Sequence, residues 1–329
     1  MMKFGLLGAG RIGKVHGMTI AASNYAKVVY VADADAKAAA SLAAAVGAKV
    51  ASVEDIIKAK DVDAILICTP TDTHADLIEA AAKAGKNILC EKPVSLSAER
   101  TLACLDVVAK TKAPLMIGFN RRHDPNFAAL EQRLRAGEVG NIELCTIISR
   151  DPSPPPVSYI ERSGGLFRDM MIHDFDMARF LVAEEFVTVH AFGSSLVDPE
   201  IGKAGDVDTA SVHMKTASGK IAVITNSRRA TYGYDQRMEV HGSKGMLRAD
   251  NVHETTVHFA GAQGITGAVV QNFFLERYSA AYAREIAAFI KAVEMGAEPR
   301  ASGHDGLMAQ KLADAATESV KTGQAVHIK

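Results

Sequence analysis

Asp169 and His173 stand four residues apart in the stretch Gly164-Gly165-Leu-Phe-Arg-Asp169-Met-Met-Ile-His173-Asp-Phe-Asp176. The run from Phe167 to Val182 predicts one strong helix, and on a helix that spacing puts both side chains on one face. A carboxylate there can orient an imidazole, which then takes a proton from an alcohol. Two other readings fit the spacing: a pair of metal ligands, or an exposed turn with a capping aspartate and a polar histidine. No third ligand at a familiar spacing favours metal, and none is assigned. A second candidate is Lys92 in Glu91-Lys92-Pro93, directly after the apolar run Asn87 to Cys90. Held between a buried strand and a proline, its ammonium has little freedom and suits a post over a cofactor. The plain alternative is a surface lysine paired with Glu91.

The elements that must position these groups begin at the N-terminus. Phe4, Leu6 and Leu7 open a short apolar strand that runs into Gly8, Gly10 and Gly13, a G-x-G-x-x-G turn. The first glycine permits the tight turn, the second the approach of a pyrophosphate, and the third close packing of helix on strand. Gly8, Gly10, Arg11, Ile12 and Gly13 thus form a phosphate cradle at a helix N-terminus. A second strand, Lys27 to Ala32, ends at Asp33, at the distance where an acid meets the adenosine ribose hydroxyls. With Ala34 and Asp35 next to it, Asp33 offers no cation for a 2′-phosphate, so the expected cofactor is NAD rather than NADP. In an open parallel sheet the ligand lies beyond the carboxyl ends of the strands. Asp33, the segment Thr69 to His74, Glu91-Lys92-Pro93 and Asn120-Arg121-Arg122 all fall at such ends. Thr69, Thr71, His74 and Glu91 therefore join the candidate cofactor-binding residues.

Strands and helices alternate over residues 1–120, with apolar strands at Ala64 to Cys68, Asn87 to Cys90 and Leu115 to Phe119. Ser52 and Ser97 read as N-caps, and Asp72 or Thr73 as the start of a further helix. This is the pattern of a doubly wound parallel α/β sheet, a Rossmann domain. Arg121 to Pro125 reads as a polar crossing between domains. Residues 121–329 then read as an α+β domain. It has a helix at Asn126 to Ala136, a strand at Asn141 to Arg150, a proline-rich loop from Asp151 to Pro156, and strands between Phe186 and Phe259 that alternate apolar with polar. That alternation predicts an open, mainly antiparallel sheet with one covered face. Two helices, Ser279 to Met295 and Asp305 to Lys321, close the chain.

Composition narrows the partners. A net charge of −1 and the absence of tryptophan speak against nucleic acid and anionic membranes, which select basic faces and stacking platforms. No apolar run reaches the length of a membrane span, and the N-terminus lacks a signal-peptide pattern. Cys68, Cys90, Cys104 and Cys145 form no C-x-x-C pair, as in reduced cytosolic chains. The expectation is a cytoplasmic protein acting on a small molecule.

With Gly8 to Gly13, Glu91-Lys92-Pro93 and Asp169-x-x-x-His173 in order, the chain resembles the Gfo/Idh/MocA oxidoreductases over essentially its full length, and within them the inositol dehydrogenases. The resemblance extends to Gly118-Phe-Asn-Arg-Arg-His-Asp124 and to Tyr232-Gly-Tyr234-Asp235. It implies NAD-dependent oxidation of a cyclic polyol, with myo-inositol ahead of scyllo-inositol or an aldose. A non-catalytic dinucleotide sensor on the same fold would not need Lys92, Asp169 and His173 together. It further implies that Lys92, Asp169 and His173 are catalytic, that Arg121 and Tyr234 join them in contacting the polyol, and that the chain forms a homo-oligomer, a tetramer packed through open sheet faces. Ser149 and Asp151 stand where some inositol dehydrogenases have a His and an Asn, a departure that bears on which polyol is preferred.

Overall fold

The computed structural model describes residues 1–328, apart from the side chain of Glu161. The chain divides into two compact units. One comprises Met1–His123 and Ala280–Gln310, the other Asp124–Ser279 and the chain from Lys311. The first unit carries a parallel sheet of β1 (Met2–Leu7), β2 (Ala26–Ala32), β3 (Lys49–Val50), β4 (Ala64–Ile67), β5 (Asn87–Glu91) and β6 (Leu115–Gly118), in the order β3-β2-β1-β4-β5-β6. The order reverses at β1, the switch point where such sheets bind ligands. Phe4, Leu6, Leu7, all of β4, Ile88, Cys90, Met116 and Ile117 are fully buried, so the central strands are covered on both faces. The connecting helices are α1 (Arg11–Ala21), α2 (Ala36–Val46), α3 (Val53–Lys58), α4 (His74–Lys83) and α5 (Ala98–Thr111). Ser52 and Ser97 cap α3 and α5 through their side chains, as their positions predict. A 3₁₀ turn, Thr71–Thr73, delays α4 until His74.

In the second unit come α6 (Pro125–Arg135), β7 (Ile142–Arg150), α7 (Val157–Ser163), α8 (Gly165–Asp169), α9 (Ile172–Val182), β8 (Phe186–Ser194) and α10 (Pro199–Lys203). Then follow β9 (Thr209–Thr216), β10 (Ile221–Ser227), β11 (Asp235–Gly242), β12 (Gly245–Ala249), an exposed hairpin of β13 (His258–Gly261) and β14 (Gly264–Gly267), and α11 (Phe274–Arg277). Finally α12 (Ser279–Met295) and α13 (Gly303–Thr322) lead to β15 (Val326–His327). The large sheet runs β12-β11-β7-β10-β9-β8-β15 and is antiparallel except for the β7–β10 pair.

Two sequence expectations change. The second unit is not the continuous span 121–329, because residues 280–310 return to the first unit. One face of α12 supplies Ala281, Tyr282, Ile286, Phe289 and Ile290 as buried residues, with Phe289 against Phe4 and Tyr282 edge-on to His16. The crossing between units falls within Arg121 to Pro125, between His123 and Asp124, and the segment that leads into it, Asn120 to His123, is buried. That segment is a 3₁₀ turn with every residue at most 4% exposed, in which Arg122 pairs with Asp305 at 2.9 Å and donates to the Arg300 carbonyl. Between them, burial and the charges of Arg300 and Arg122 push His123 down to about 3. The second change is that the helix expected over Phe167 to Val182 breaks into α8 and α9. Met170, Met171 and Ile172 are consecutive and all buried. At the break Met170 and Met171 both donate to the Leu166 carbonyl, His173 donates to the Met170 carbonyl at 3.4 Å, and the ladder restarts with Asp174 and Phe175 on Met171.

Candidate active site

The glycine turn has the geometry its three jobs require. Gly8 has φ +100°, and a Cβ there would lie 2.4 Å from the Cys68 carbonyl oxygen. A Cβ on Gly13 would lie 2.0 Å from the Gly8 oxygen, so α1 can approach β1 only because the residue is glycine. Gly10 is different. Nothing lies within 4 Å of its ideal Cβ, and no side chain caps α1. The exposed Arg11 and half-buried Ile12 open the helix, so its first N–H groups and open approach suit a pyrophosphate. Asp33 accepts from the Ala9 N–H at 2.5 Å and from the Asp35 N–H at 2.8 Å. The half-buried carboxylate thus braces the glycine turn while standing at the end of β2, where ribose hydroxyls would be received.

The neighbouring strand ends form a second layer. Thr69 and Thr73 share a hydrogen bond of 2.6 Å, and Thr71 begins the 3₁₀ turn between them. His74 is 2% exposed, with Nδ1 2.7 Å from the Pro93 carbonyl and Nε2 2.8 Å from the Thr69 carbonyl. Both ring nitrogens are engaged by backbone, so what this histidine can do for a cofactor is hold the Thr69 loop against the turn carrying Lys92. Glu91, given to Lys92 as a surface partner in the plain alternative, is instead held by His16. It is 9% exposed, and its Oε1 lies 2.7 Å from His16 Nε2 on α1. Gly118 leaves the room for it, since a Cβ on Gly118 would lie 3.1 Å from the Glu91 carboxylate. The half-buried Lys92, joined to Pro93 by a cis peptide, therefore follows a residue clamped to the dinucleotide helix. His16 lies 75 residues from Glu91, and no local spacing signals the contact.

In the second unit Asp169 ends α8 and His173 lies in the first turn of α9, so they do not share one helix face by simple i, i+4 spacing. Asp169 Oδ1 accepts from the Tyr159 hydroxyl at 3.0 Å, and its Oδ2 faces Arg228 Nη2 at 3.8 Å. Arg228 is 1% exposed, a buried cation beside the candidate carboxylate that sequence reasoning did not single out. His173 is half-buried. Tyr234, 6% exposed, lies edge-on to Tyr278 with ring centroids 5.9 Å apart. Next to it Asp235 is fully buried and accepts from Tyr232, Arg237 and Asn251. Burial alone would raise its carboxyl, but those donors outweigh it and hold the group below the usual range. Arg121, 3% exposed, belongs to the 3₁₀ turn of the first unit. Ser149 points into the core rather than to solvent, and Asp151 stands half-buried just beyond β7.

Residues 2–119 match the family model of the oxidoreductase family with an NAD-binding Rossmann fold, and residues 127–248 match the GFO/IDH/MocA C-terminal domain. The chain belongs to the Gfo/Idh/MocA oxidoreductases. Among members of that family, inositol 2-dehydrogenase of Rhizobium meliloti is 56% identical over 99% of both chains. The crystal structure of a myo-inositol dehydrogenase from Corynebacterium glutamicum superposes with a TM-score of 0.96 at 44% identity, covering 100% of this chain and 99% of that one. A scyllo-inositol dehydrogenase of Lactobacillus casei, with bound cofactor NAD(H) and scyllo-inositol, has a TM-score of 0.92 at 30% identity, with 99% of each chain covered. As a family member the chain has an NAD-binding Rossmann unit, and the open Gly10 cradle and uncapped α1 fit that cofactor. Among the described residues, no helix is long and apolar enough to cross a membrane.

Proposed function

We propose that the protein oxidises the C2 alcohol of myo-inositol to the ketone, with NAD as acceptor. The observation that carries the reading is the full-length likeness to an inositol 2-dehydrogenase at 56% identity, in a chain that has Lys92, Asp169 and His173. Bound NAD supplies the hydride acceptor, and Gly8, Gly10, Arg11, Ile12, Gly13 and Asp33 would hold it, with Thr69, Thr71, His74 and Glu91 as the surrounding support. The protein must then remove a proton and steady the charge left on oxygen. In this reading the imidazole of His173 takes the hydroxyl proton, Asp169 fixes its orientation, and the Lys92 ammonium stabilises the developing alkoxide. Arg121 and Tyr234 contact the remaining hydroxyls. The working form is a homo-oligomer, a tetramer by analogy with the family.

A panel of myo-inositol, scyllo-inositol and aldoses, run with NAD and with NADP, tests the reading. The expected result is the highest kcat/KM for myo-inositol with NAD. Saturable NADH binding without turnover of any polyol would instead identify a dinucleotide sensor. A preference for scyllo-inositol would retain the chemistry and overturn the substrate.

A further inference from the structure

The covered face of the large sheet is built in cross-strand rows over β7, β10 and β11. Cys145, Ala222 and Val240 form one row, and Ile147, Ile224 and Met238 the next. These six are at most 1% exposed. The following row on the same face is Ser149, Asn226 and Gln236, at most 2% exposed and entirely polar. It meets Asp174, which is fully buried in the first turn of α9 and directly follows His173. Ser149 Oγ donates to Asp174 Oδ1 at 2.5 Å, and Asn226 Nδ2 donates to Oδ2 at 3.0 Å. Gln236 Oε1 lies 3.1 Å from the same serine hydroxyl and accepts from the Tyr278 hydroxyl at 3.2 Å. Through its ring, Tyr278 reaches Tyr234.

As a device for stability this row is poor. The serine has one proton for two acceptors, and Asn226 Oδ1 and Gln236 Nε2 have no hydrogen-bond partner. An incompletely satisfied buried polar cluster is worse for stability than an apolar one of the same shape. What the row does provide is a fixed anchor for Asp174. The first turn of α9 follows an irregular junction, where the His173 N–H reaches the Met170 carbonyl at 3.4 Å and the regular ladder restarts only on Met171, so a side-chain anchor there adds to a loose backbone link.

We infer that Ser149, Asn226 and Gln236 are positioning residues. They hold the Asp174 carboxylate, and through it the turn that aims the His173 imidazole, while Tyr278 ties the same network to Tyr234. The inference rests on the role proposed above for His173. It also gives Ser149 a part in the reaction from inside the core, by way of Asp174.

Two variants test it. Ser149→Ala removes one hydroxyl, and Asn226→Leu keeps volume while removing the amide. In both, kcat for polyol oxidation should fall about tenfold or more while the KM for NAD stays within about twofold. The ring ¹⁵N signals of His173 should also titrate differently from wild type. If Asn226→Leu fails to fold, Ser149→Ala, the milder change, decides. Folded variants whose His173 signals titrate as in wild type would show that the row is packing alone, whatever happens to Tm, and the inference would fall. Should the wild type turn over no polyol, the functional reading fails separately, and the ring signals still decide whether the row positions the imidazole.

Discussion

Gly10 separates a glycine needed for folding from one needed for a ligand. At Gly8 and Gly13 a methyl group would collide with backbone, whereas at Gly10 it would meet nothing. The backbone there, φ −68° and ψ −166°, is open to alanine. Gly10→Ala should therefore leave Tm within about a degree of wild type, yet raise the KM for NAD by about tenfold or more, because the methyl occupies the pyrophosphate's approach. Unchanged NAD kinetics would remove the dinucleotide from this turn. Lys92 is tested in the complementary way. If its ammonium steadies the reacting oxygen, Lys92→Met should lower kcat by about a hundredfold or more, with NADH affinity within a few-fold of wild type. A variant that keeps most of its turnover would reduce Lys92 to a structural residue. His173→Ala should likewise abolish most oxidation and flatten the acid limb of kcat/KM, since oxidation needs the base unprotonated. A wild-type limb in that variant would point to another base.

Elements were legible in the sequence where a pattern is local and opaque where it depends on distant partners. The caps at Ser52 and Ser97, the apolar strands and the glycine turn all announce themselves within a few residues. The break between α8 and α9 does not, since no glycine or proline stands between Phe167 and Val182 to mark it. The return of α12 to the first unit was equally hidden, because an amphipathic helix does not say which sheet it covers. Its least legible residue is Glu285, fully buried with neither oxygen hydrogen-bonded. Burial first, and then the charge of Glu91, raise its carboxyl well above 4.5. Folded chains therefore keep a proton that unfolded chains lose above about pH 4.5, so this group erodes stability as pH rises from there to its raised native value. Glu285→Gln removes that slope. Thermal denaturation should show a higher Tm than wild type near pH 8, with the gain shrinking towards about pH 5. A gain equal at both pH values would mean that Glu285 does not titrate in that window.

At the scale of the whole molecule, the large sheet leaves one face for something else to cover. On that face one cross-strand row reads Lys215, Ile221, Leu144, His241 and Met246 over β9, β10, β7, β11 and β12. Ile221, Leu144 and Met246 are 44%, 37% and 46% exposed, and Phe192 on β8 is 62% exposed. On the other face α9 packs against β7 and fills the core rows. Apolar side chains gathered on one exposed sheet face mark an interface, and a net charge of −1 puts little repulsion between copies. The chain should therefore form a homo-oligomer through this face, with light scattering giving a multiple of 34.9 kDa, four by analogy with the family. Replacing Leu144 and Ile221 together by glutamate puts like charges on a self-complementary surface and should shift the mass to smaller species. Both residues point away from the core rows, so the variant should remain folded. A wild-type monomer at micromolar concentration would contradict the prediction outright. An unchanged oligomer in the double variant would place the interface elsewhere on the molecule.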